Sequence, residues 1–81
     1  MSHITIFIYG LDYLHHDIPT EYNLVEADLS ARGYQKFSIP ASDFHEQIDI
    51  FKIPGDNSKD VTYAYCDKEG LVHKITYSTL Y

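Results

Sequence analysis

Two histidines and two carboxylates lie within six residues of one another, directly after a short hydrophobic segment: Asp12, His15, His16 and Asp17. Imidazole and carboxylate groups bind divalent transition metals, and such sites are often built on loops that follow strands. The competing interpretation is a polar connection in which Asp17 caps the next helix and both histidines face solvent. A transition-metal site needs three or four converging ligands, which adjacent histidines in a loop seldom provide. We therefore predict no metal ion here, and a site at Asp12, His15 and His16 is the alternative.

Three further positions carry side chains capable of acid–base or thiol chemistry. His45 stands beside Glu46, and His73 lies in a C-terminal segment where we expect it to pack beside Tyr65. Cys66 is expected on the small, polar face of that segment, so its thiol should be accessible. A catalytic thiol needs a neighbouring histidine, which the pattern does not place there. We predict that Cys66 is inert and that the chain has no catalytic residue.

Motifs that bind cofactors or phosphates are missing from the sequence. The four glycines, at positions 10, 33, 55 and 70, each fit a turn or a helix cap instead of a glycine-rich phosphate loop. Most enzymes of this size need a metal, a cofactor or a symmetric partner to build a pocket. The missing motifs therefore favour a protein without a cofactor and without enzymatic activity.

The charge of the chain argues against binding to duplex nucleic acid. Twelve acidic and six basic residues give a net charge of −6, and the basic residues are scattered. Duplex binding requires a clustered positive surface, so a basic protein, or the nucleic-acid groove of another protein, suits this chain better. The single cysteine excludes an internal disulfide, and the run Ile4–Tyr9 is too short to span a membrane. We predict a cytoplasmic location without membrane contact.

The candidate residues lie between a strand and a helix. Ile4–Tyr9 carries apolar side chains on both faces, which predicts a central strand covered on both sides. The helix is predicted to begin near Asp17 or Thr20 and to end at Gly33, which suits a left-handed cap. Its apolar stripe consists of Ile18, Tyr22, Val25 and Leu29.

Shorter elements follow the helix. Tyr34–Ile39 is predicted to be a strand that ends at Pro40. The segment Asp43–Ile53 is open to two interpretations, because its apolar residues fit both a short helix and a strand of period two. We favour a helical turn at Asp43–Gln47 followed by a strand to Ile53. The next residues, Pro54–Ser58, are typical of a loop.

The C-terminal segment predicts a β-hairpin with a defined register. Asp67–Gly70 suits a three-residue loop closed by a glycine in the left-handed conformation. The predicted pairs are Asp67 with Leu71, Tyr65 with His73, Tyr63 with Ile75, and Val61 with Tyr77, which makes this face almost wholly apolar. The other face carries small or polar residues, namely Thr62, Ala64, Cys66, Val72, Lys74 and Thr76.

Together these elements predict a single domain spanning residues 1–81. The predicted fold class is α+β, with one long helix packed on a mainly antiparallel sheet of four to five strands. The expected order is strand, helix, strand, short helix or strand, strand, strand.

The segment Ile4–Phe37 resembles a family of nucleases. The order of its elements is similar to that in the first half of small ferredoxin-like ribonucleases. A hydrophobic strand ends in Leu11-Asp12, a helix follows, and Gly33-Tyr34 opens the next strand. These include the small CRISPR-associated nuclease-fold subunit, virulence-associated protein D and the ribonuclease-type antitoxins. The resemblance implies a dimer in which Asp12 faces its symmetry mate across a metal ion. It therefore implies a metal-dependent ribonuclease as the alternative function.

The leading prediction is a small acidic protein that binds and regulates or inhibits another macromolecule without catalysis. Inhibitors, antitoxins, immunity proteins and phage anti-defence proteins, including anti-CRISPR proteins, share this short, acidic and tyrosine-rich profile. We also expect a homodimer or a heteromeric contact at an exposed edge of the last strand. The predicted partner-binding residues are Glu21, Glu26, Asp28, Asp56, Asp60, Tyr77 and Tyr81.

Overall fold

One helix and one sheet make up the regular structure of the described residues. The computed structural model describes residues 4–10, 20–57 and 59–79, with backbone only for 74–79. In chain order the elements are β1 (Ile4–Tyr9), β2 (Thr20–Glu21), α1 (Tyr22–Ala31), β3 (Gln35–Ile39), β4 (Gln47–Lys52), β5 (Asp60–Cys66) and β6 (Leu71–Thr79). Several residues of the sequence predictions lie outside the described ranges, namely Asp12, His15, His16, Asp17, Ile18 and Tyr81.

β1 lies near the centre of a mixed sheet with the strand order β2-β6-β5-β1-β4-β3. It pairs in parallel with β4, where Ile4 faces Gln47, and antiparallel with β5, where Ile4 faces Cys66. A parallel pair needs a long crossover, which here runs through α1 and β3. The α+β class and the predominance of antiparallel pairs are confirmed. The sheet has six strands instead of four to five, and the parallel pair was not predicted.

α1 begins later than predicted and is shorter. Thr20 pairs with Val72 in β6 instead of capping the helix. The backbone N–H of Tyr22 donates to the carbonyl of Gly70 at 2.9 Å, so the chain is held to the hairpin up to this residue. The helix therefore spans ten residues, Tyr22–Ala31.

The end of α1 is as predicted. The N–H of Gly33 donates to the carbonyl of Ser30, and that of Tyr34 donates to the carbonyl of Leu29, both at 3.0 Å. Gly33 has a φ of +94°, in the left-handed region that glycine adopts without strain. These bonds satisfy carbonyls that the last turn leaves free and direct the chain into β3.

The hydrophobic core lies between α1 and one face of the sheet. Its buried members are Ile6, Ile8, Val25, Leu29, Phe51, Ala64, Cys66 and Val72. On the opposite face of β1, the side chains of Thr5, Phe7 and Tyr9 are half-buried. The central position of the strand is therefore confirmed, and its second face is covered only in part.

The C-terminal hairpin directs toward the core the face that carries the small or polar side chains. From the sequence, this face was expected to be accessible. Ala64, Cys66 and Val72 are buried, whereas Tyr65 and His73 are half-buried. Small side chains allow α1 to pack close to the sheet, and a tyrosine ring in their place would hold the helix away. The prediction of an accessible Cys66 is therefore wrong.

The register of this hairpin changes along its length. Next to the turn it is as predicted, with Tyr65 opposite His73. A bulge after Tyr63 then leaves one extra residue in β6, so the pairing beyond it shifts by one. The shifted pairs are Tyr63 with Thr76 and Val61 with Ser78, in place of the predicted Ile75 and Tyr77.

The helical turn predicted at Asp43–Gln47 is wrong. The N–H of Ser42 donates to the carbonyl of His45 at 2.8 Å, and its hydroxyl accepts from the N–H of Phe44 at 3.1 Å, which forms a bend. Residues from Gln47 onward belong to β4. The strand forms because β4 has a paired neighbour on each side, β1 and β3.

Most of the last strand lies at an outer edge of the described sheet, as expected. β2 pairs with Leu71 and Val72 and so covers the start of β6. At the other side of the sheet β3 is outermost, and all five of its residues are exposed. The described strands therefore leave two outer edges, one along residues 73–79 of β6 and one along β3.

Candidate functional site

A buried carboxylate organises the space between α1 and the sheet. Asp49, in the middle of β4, has no exposed surface. Its Oδ1 accepts hydrogen bonds from Ser38 Oγ at 2.6 Å and from Gln47 Nε2 at 3.0 Å. Its Oδ2 accepts a hydrogen bond from the hydroxyl of Tyr22. Asp49 therefore links the start of α1 to β3 and β4.

The hydrogen bonds keep this carboxylate ionised in spite of its burial. Burial opposes the charged form, but the donors Ser38, Tyr22 and Gln47, followed by the charge of Lys36, outweigh it and lower the pKa of Asp49. The hydrogen bond between Tyr22 and Asp49 has the opposite effect on the pKa of Tyr22. Burial, then the hydrogen bond to Asp49 and its charge, raise the pKa of this phenol. Tyr22 is therefore fixed as a hydrogen-bond donor.

An open cavity of about 550 Å³ lies over this network, between the start of α1 and the hairpin turn. Lys36 Nζ lies in its wall, 2.9 Å from a carboxylate oxygen of Glu26 and 5.3 Å from the ring centroid of Tyr22. The cavity also touches Cys66, but burial and then two nearby carboxylates raise the pKa of its thiol. A protonated thiol is a poor nucleophile. The described lining therefore holds a satisfied structural network without an activated nucleophile.

A second carboxylate closes the hairpin turn. Asp67 Oδ1 accepts hydrogen bonds from the N–H groups of Glu69 and Leu71, and its Oδ2 accepts one from His73 Nε2 at 2.7 Å. The backbone bond from Leu71, followed by the His73 bond, lowers the pKa of Asp67. The imidazole of His73 stacks on Tyr65 with ring centroids 4.8 Å apart, which confirms the predicted packing of these two side chains. These contacts fix the turn.

We expect Asp67→Asn to lower the melting temperature at neutral pH. We also expect the melting temperature of this variant to fall less than that of the wild type when the pH is lowered. Because folding lowers the pKa of Asp67, its carboxylate stabilises the fold above the ordinary aspartate pKa of 3.8. That contribution is lost as the pH falls through the lower pKa of the folded state. Thermal unfolding between about pH 7 and pH 2 measures the effect. Asp43→Asn, at an exposed position, is the control, and an Asp67→Asn curve as steep as that of the wild type would contradict the expectation.

Large apolar side chains occupy the face of the sheet opposite α1. Residues paired across neighbouring strands share a face, so the registers place Phe7 between Tyr63 and Ile50, and Phe37 next to Ile50. The rings of Phe7 and Tyr63 meet edge to face with centroids 5.1 Å apart. We define the open face by the half-buried and exposed side chains of Phe7, Phe37, Ile39, Ile48, Ile50, Tyr63 and Tyr65.

Charge is nearly absent from the open face. Among the described side chains that β5, β1, β4 and β3 direct to this side, none is a carboxylate and Lys52 is the one cation. Lys52 Nζ lies 5.4 Å from the ring centroid of Tyr9. Contiguous exposed apolar patches on folded proteins mark interaction sites. The open face is therefore the strongest candidate for a functional surface.

The structure does not gather the acidic residues of the sequence prediction into one cluster. Glu26 pairs with Lys36 at 2.9 Å, and Asp28 pairs with Arg32 at 3.3 Å, so part of the predicted negative surface is neutralised. Of the remaining predicted residues, Glu21 and Asp56 are exposed, Asp60 is half-buried, and the side chains of Tyr77 and Tyr81 are outside the description. His45 is also exposed and donates from Nδ1 to the carbonyl of Glu46 at 2.8 Å.

Sequence reasoning singled out neither Asp49 nor the open face. The alternation along β4 contains the information, because Asp49 stands two residues before Phe51 and so shares its face. Aspartate is mostly exposed in folded proteins, so the sequence alone provided no reason to expect a buried carboxylate at Asp49.

Comparisons with protein-family models, with characterised proteins and with solved structures give no match. Within residues 4–10, 20–57 and 59–79, no group of three or more histidine, cysteine, aspartate or glutamate residues is arranged to hold a metal ion. In the same part of the chain no helix is long and apolar enough to cross a membrane. The resemblance to small ferredoxin-like ribonucleases stays a prediction, as does the role of Asp12.

Proposed function

We propose that this protein is a small non-enzymatic binding protein whose open face holds a partner protein, as an inhibitor, antitoxin or immunity protein does. The observation that carries the proposal is the group of half-buried and exposed apolar and aromatic side chains that β3, β4, β1 and β5 direct to one face of the sheet. Aromatic side chains are enriched at the centres of protein interfaces and supply much of the binding energy. The carboxylates of Asp49 and Asp67 support the fold, since their described partners satisfy them internally.

The partner that fits this surface is a protein with an apolar centre and a basic rim. The chain has a net charge of −6, while the open face itself is almost uncharged. Asp56, in the turn after β4, and Glu69, in the hairpin turn, are exposed at opposite ends of the sheet. Charges around an apolar centre steer association and suppress wrong partners. A single-stranded nucleic acid would require a cationic groove beside the rings, whereas Lys52 is the one described cation here.

The test removes rings from the centre of the open face. Phe7→Thr and Tyr63→Thr delete the aromatic pair while keeping residues that favour strands. A partner is first captured from source cells with the wild-type chain, then purified and titrated against each variant by calorimetry. We expect each variant to bind about 10- to 100-fold more weakly, which is the loss typical of a central interface residue.

The control is Leu24→Gln, which alters a leucine that is 58% exposed on α1. It should leave the affinity unchanged, and thermal unfolding verifies that all three variants are folded. The proposal fails if the Phe7 and Tyr63 variants bind the captured partner as tightly as the wild type does. It also fails if the open face binds a single-stranded oligonucleotide and that binding is lost in the same variants.

A further inference from the structure

The outer edge of β3 concentrates apolar surface. Four large hydrophobic side chains of the described residues are exposed, and three of them lie on β3 or in the segment that follows it. Phe37 is 51% exposed, Ile39 41% and Phe44 95%. Along the outer side of β3 no described strand supplies hydrogen-bond partners. This edge therefore combines unpaired backbone groups with hydrophobic side chains.

β3 lacks the features that normally protect a sheet edge from pairing with another chain. Natural edges are shortened, interrupted by proline, twisted by bulges or covered by charged side chains. The five residues of β3 pair one to one with β4 without a bulge, and Pro40 stands beyond the strand. Its single charged residue, Lys36, is held by Glu26 at 2.9 Å. Within residues 4–10, 20–57 and 59–79, nothing pairs with the outer side of β3 along its length.

We propose that β3 pairs antiparallel with β3 of a second copy of this chain, about a two-fold axis at Phe37. In this register Phe37 faces its own symmetry mate, Lys36 faces Ser38, and Gln35 faces Ile39. No like charges are opposed, whereas a two-fold axis at Lys36 would set two ammonium groups against each other. A two-fold axis at Phe37 therefore opposes no like charges and brings two exposed aromatic rings together.

The charges near this edge permit the contact in spite of the net charge of each copy. Lys36 pairs with Glu26, and Arg32 pairs with Asp28, so the part of α1 beside β3 is close to neutral. The proposal goes beyond the binding function above and does not depend on it. Antiparallel pairing about an axis normal to the sheet would place both open faces on one side, so a partner with two sites would gain from avidity.

Sedimentation equilibrium of the purified chain tests the proposal over roughly 1–100 μM, a range that covers micromolar association. We expect the wild type to dimerise and Phe37→Asp, which sets two carboxylates against each other at the axis, to weaken dimerisation at least about tenfold. Leu24→Asp places the same charge at an exposed leucine of α1 and should dimerise like the wild type. A monomeric wild type, or a dimer that Phe37→Asp does not weaken, would overturn the proposal.

Cysteine cross-linking tests the register directly. Directly opposed residues of an antiparallel pair have Cα atoms about 4.5–5.5 Å apart, which a disulfide can bridge. Phe37→Cys should therefore form a covalent dimer under mild oxidation. Gln35→Cys should not, since in this register the two copies of residue 35 are separated by about 13 Å along the strands. Cross-linking of Gln35→Cys in preference to Phe37→Cys would contradict the pairing.

Discussion

Replacing Asp49 with alanine is expected to lower the free energy of unfolding by about 3–5 kcal/mol, because it leaves buried donors without an acceptor. The hydroxyls of Tyr22 and Ser38 and the amide of Gln47 all donate to this carboxylate. A chain of 81 residues has a total stability of roughly 4–12 kcal/mol. The change therefore removes a large share of it. Urea denaturation, extrapolated to water, measures the loss.

Two companion variants make this result interpretable. Asp49→Asn retains an acceptor oxygen and should cost about 1–3 kcal/mol, so it remains measurable if the alanine variant does not fold. Asp43→Ala removes an exposed carboxylate and should change stability by less than about 0.5 kcal/mol. An Asp49→Ala variant as stable as Asp43→Ala would show that the network contributes nothing to the fold.

A comparably large loss is expected from Leu29→Ala in α1. Leu29 has no exposed surface and packs against the centre of the sheet, so its truncation leaves a cavity and costs about 2–5 kcal/mol. In a domain of this size that corresponds to a fall of roughly 8–40 °C in melting temperature. Thermal unfolding followed by circular dichroism measures the shift.

The same helix supplies a matched control for this substitution. Leu24 is 58% exposed, so Leu24→Ala loses the same atoms from a position that faces largely into solvent. We expect its melting temperature to stay within about 3 °C of the wild type. Equal shifts in the two variants would mean that α1 does not bury the face that the structure assigns to the core.

The elements with strong local patterns were predicted well. Three features depend only on neighbouring residues, and each is found where it was expected. They are the strand at Ile4–Tyr9, the end of the helix at Gly33 and the hairpin turn before Leu71. The start of α1 depends on pairing between Thr20 and β6, which are distant in the chain. Local capping preferences do not contain that information, so the predicted start was too early.

The faces of the hairpin were predicted wrongly because size was taken as the criterion for burial. Tyr63 and Tyr65 are the largest side chains of β5, yet Ala64 and Cys66 form its buried face. The side that is buried depends on where α1 lies, and a helix packed near the sheet selects small residues. The alternation of side chains along β5 was thus predicted correctly, but the wrong face of the hairpin was expected to be buried.

The candidate site could not be derived from the sequence because its parts meet only through the sheet. Phe7, Ile50 and Tyr63 come from three strands that are neighbours only after β1 pairs in parallel with β4. Asp49 likewise finds its donors on α1 and β3. The tyrosine-rich contact surface expected from the composition stays a prediction, and two of the acidic residues proposed for it, Glu26 and Asp28, are occupied by ion pairs.

The position of β1 also determines when this protein is able to fold. Ile4 pairs with Gln47 on one side and with Cys66 on the other, so both neighbours of the first strand are translated long after it. At 5–20 residues per second the ribosome takes roughly 3–12 s to add the intervening chain. During that interval a hydrophobic strand stands without partners, which makes it a target for chaperones that bind nascent chains. The central part of the sheet therefore cannot close until the residues of β5 have been synthesised.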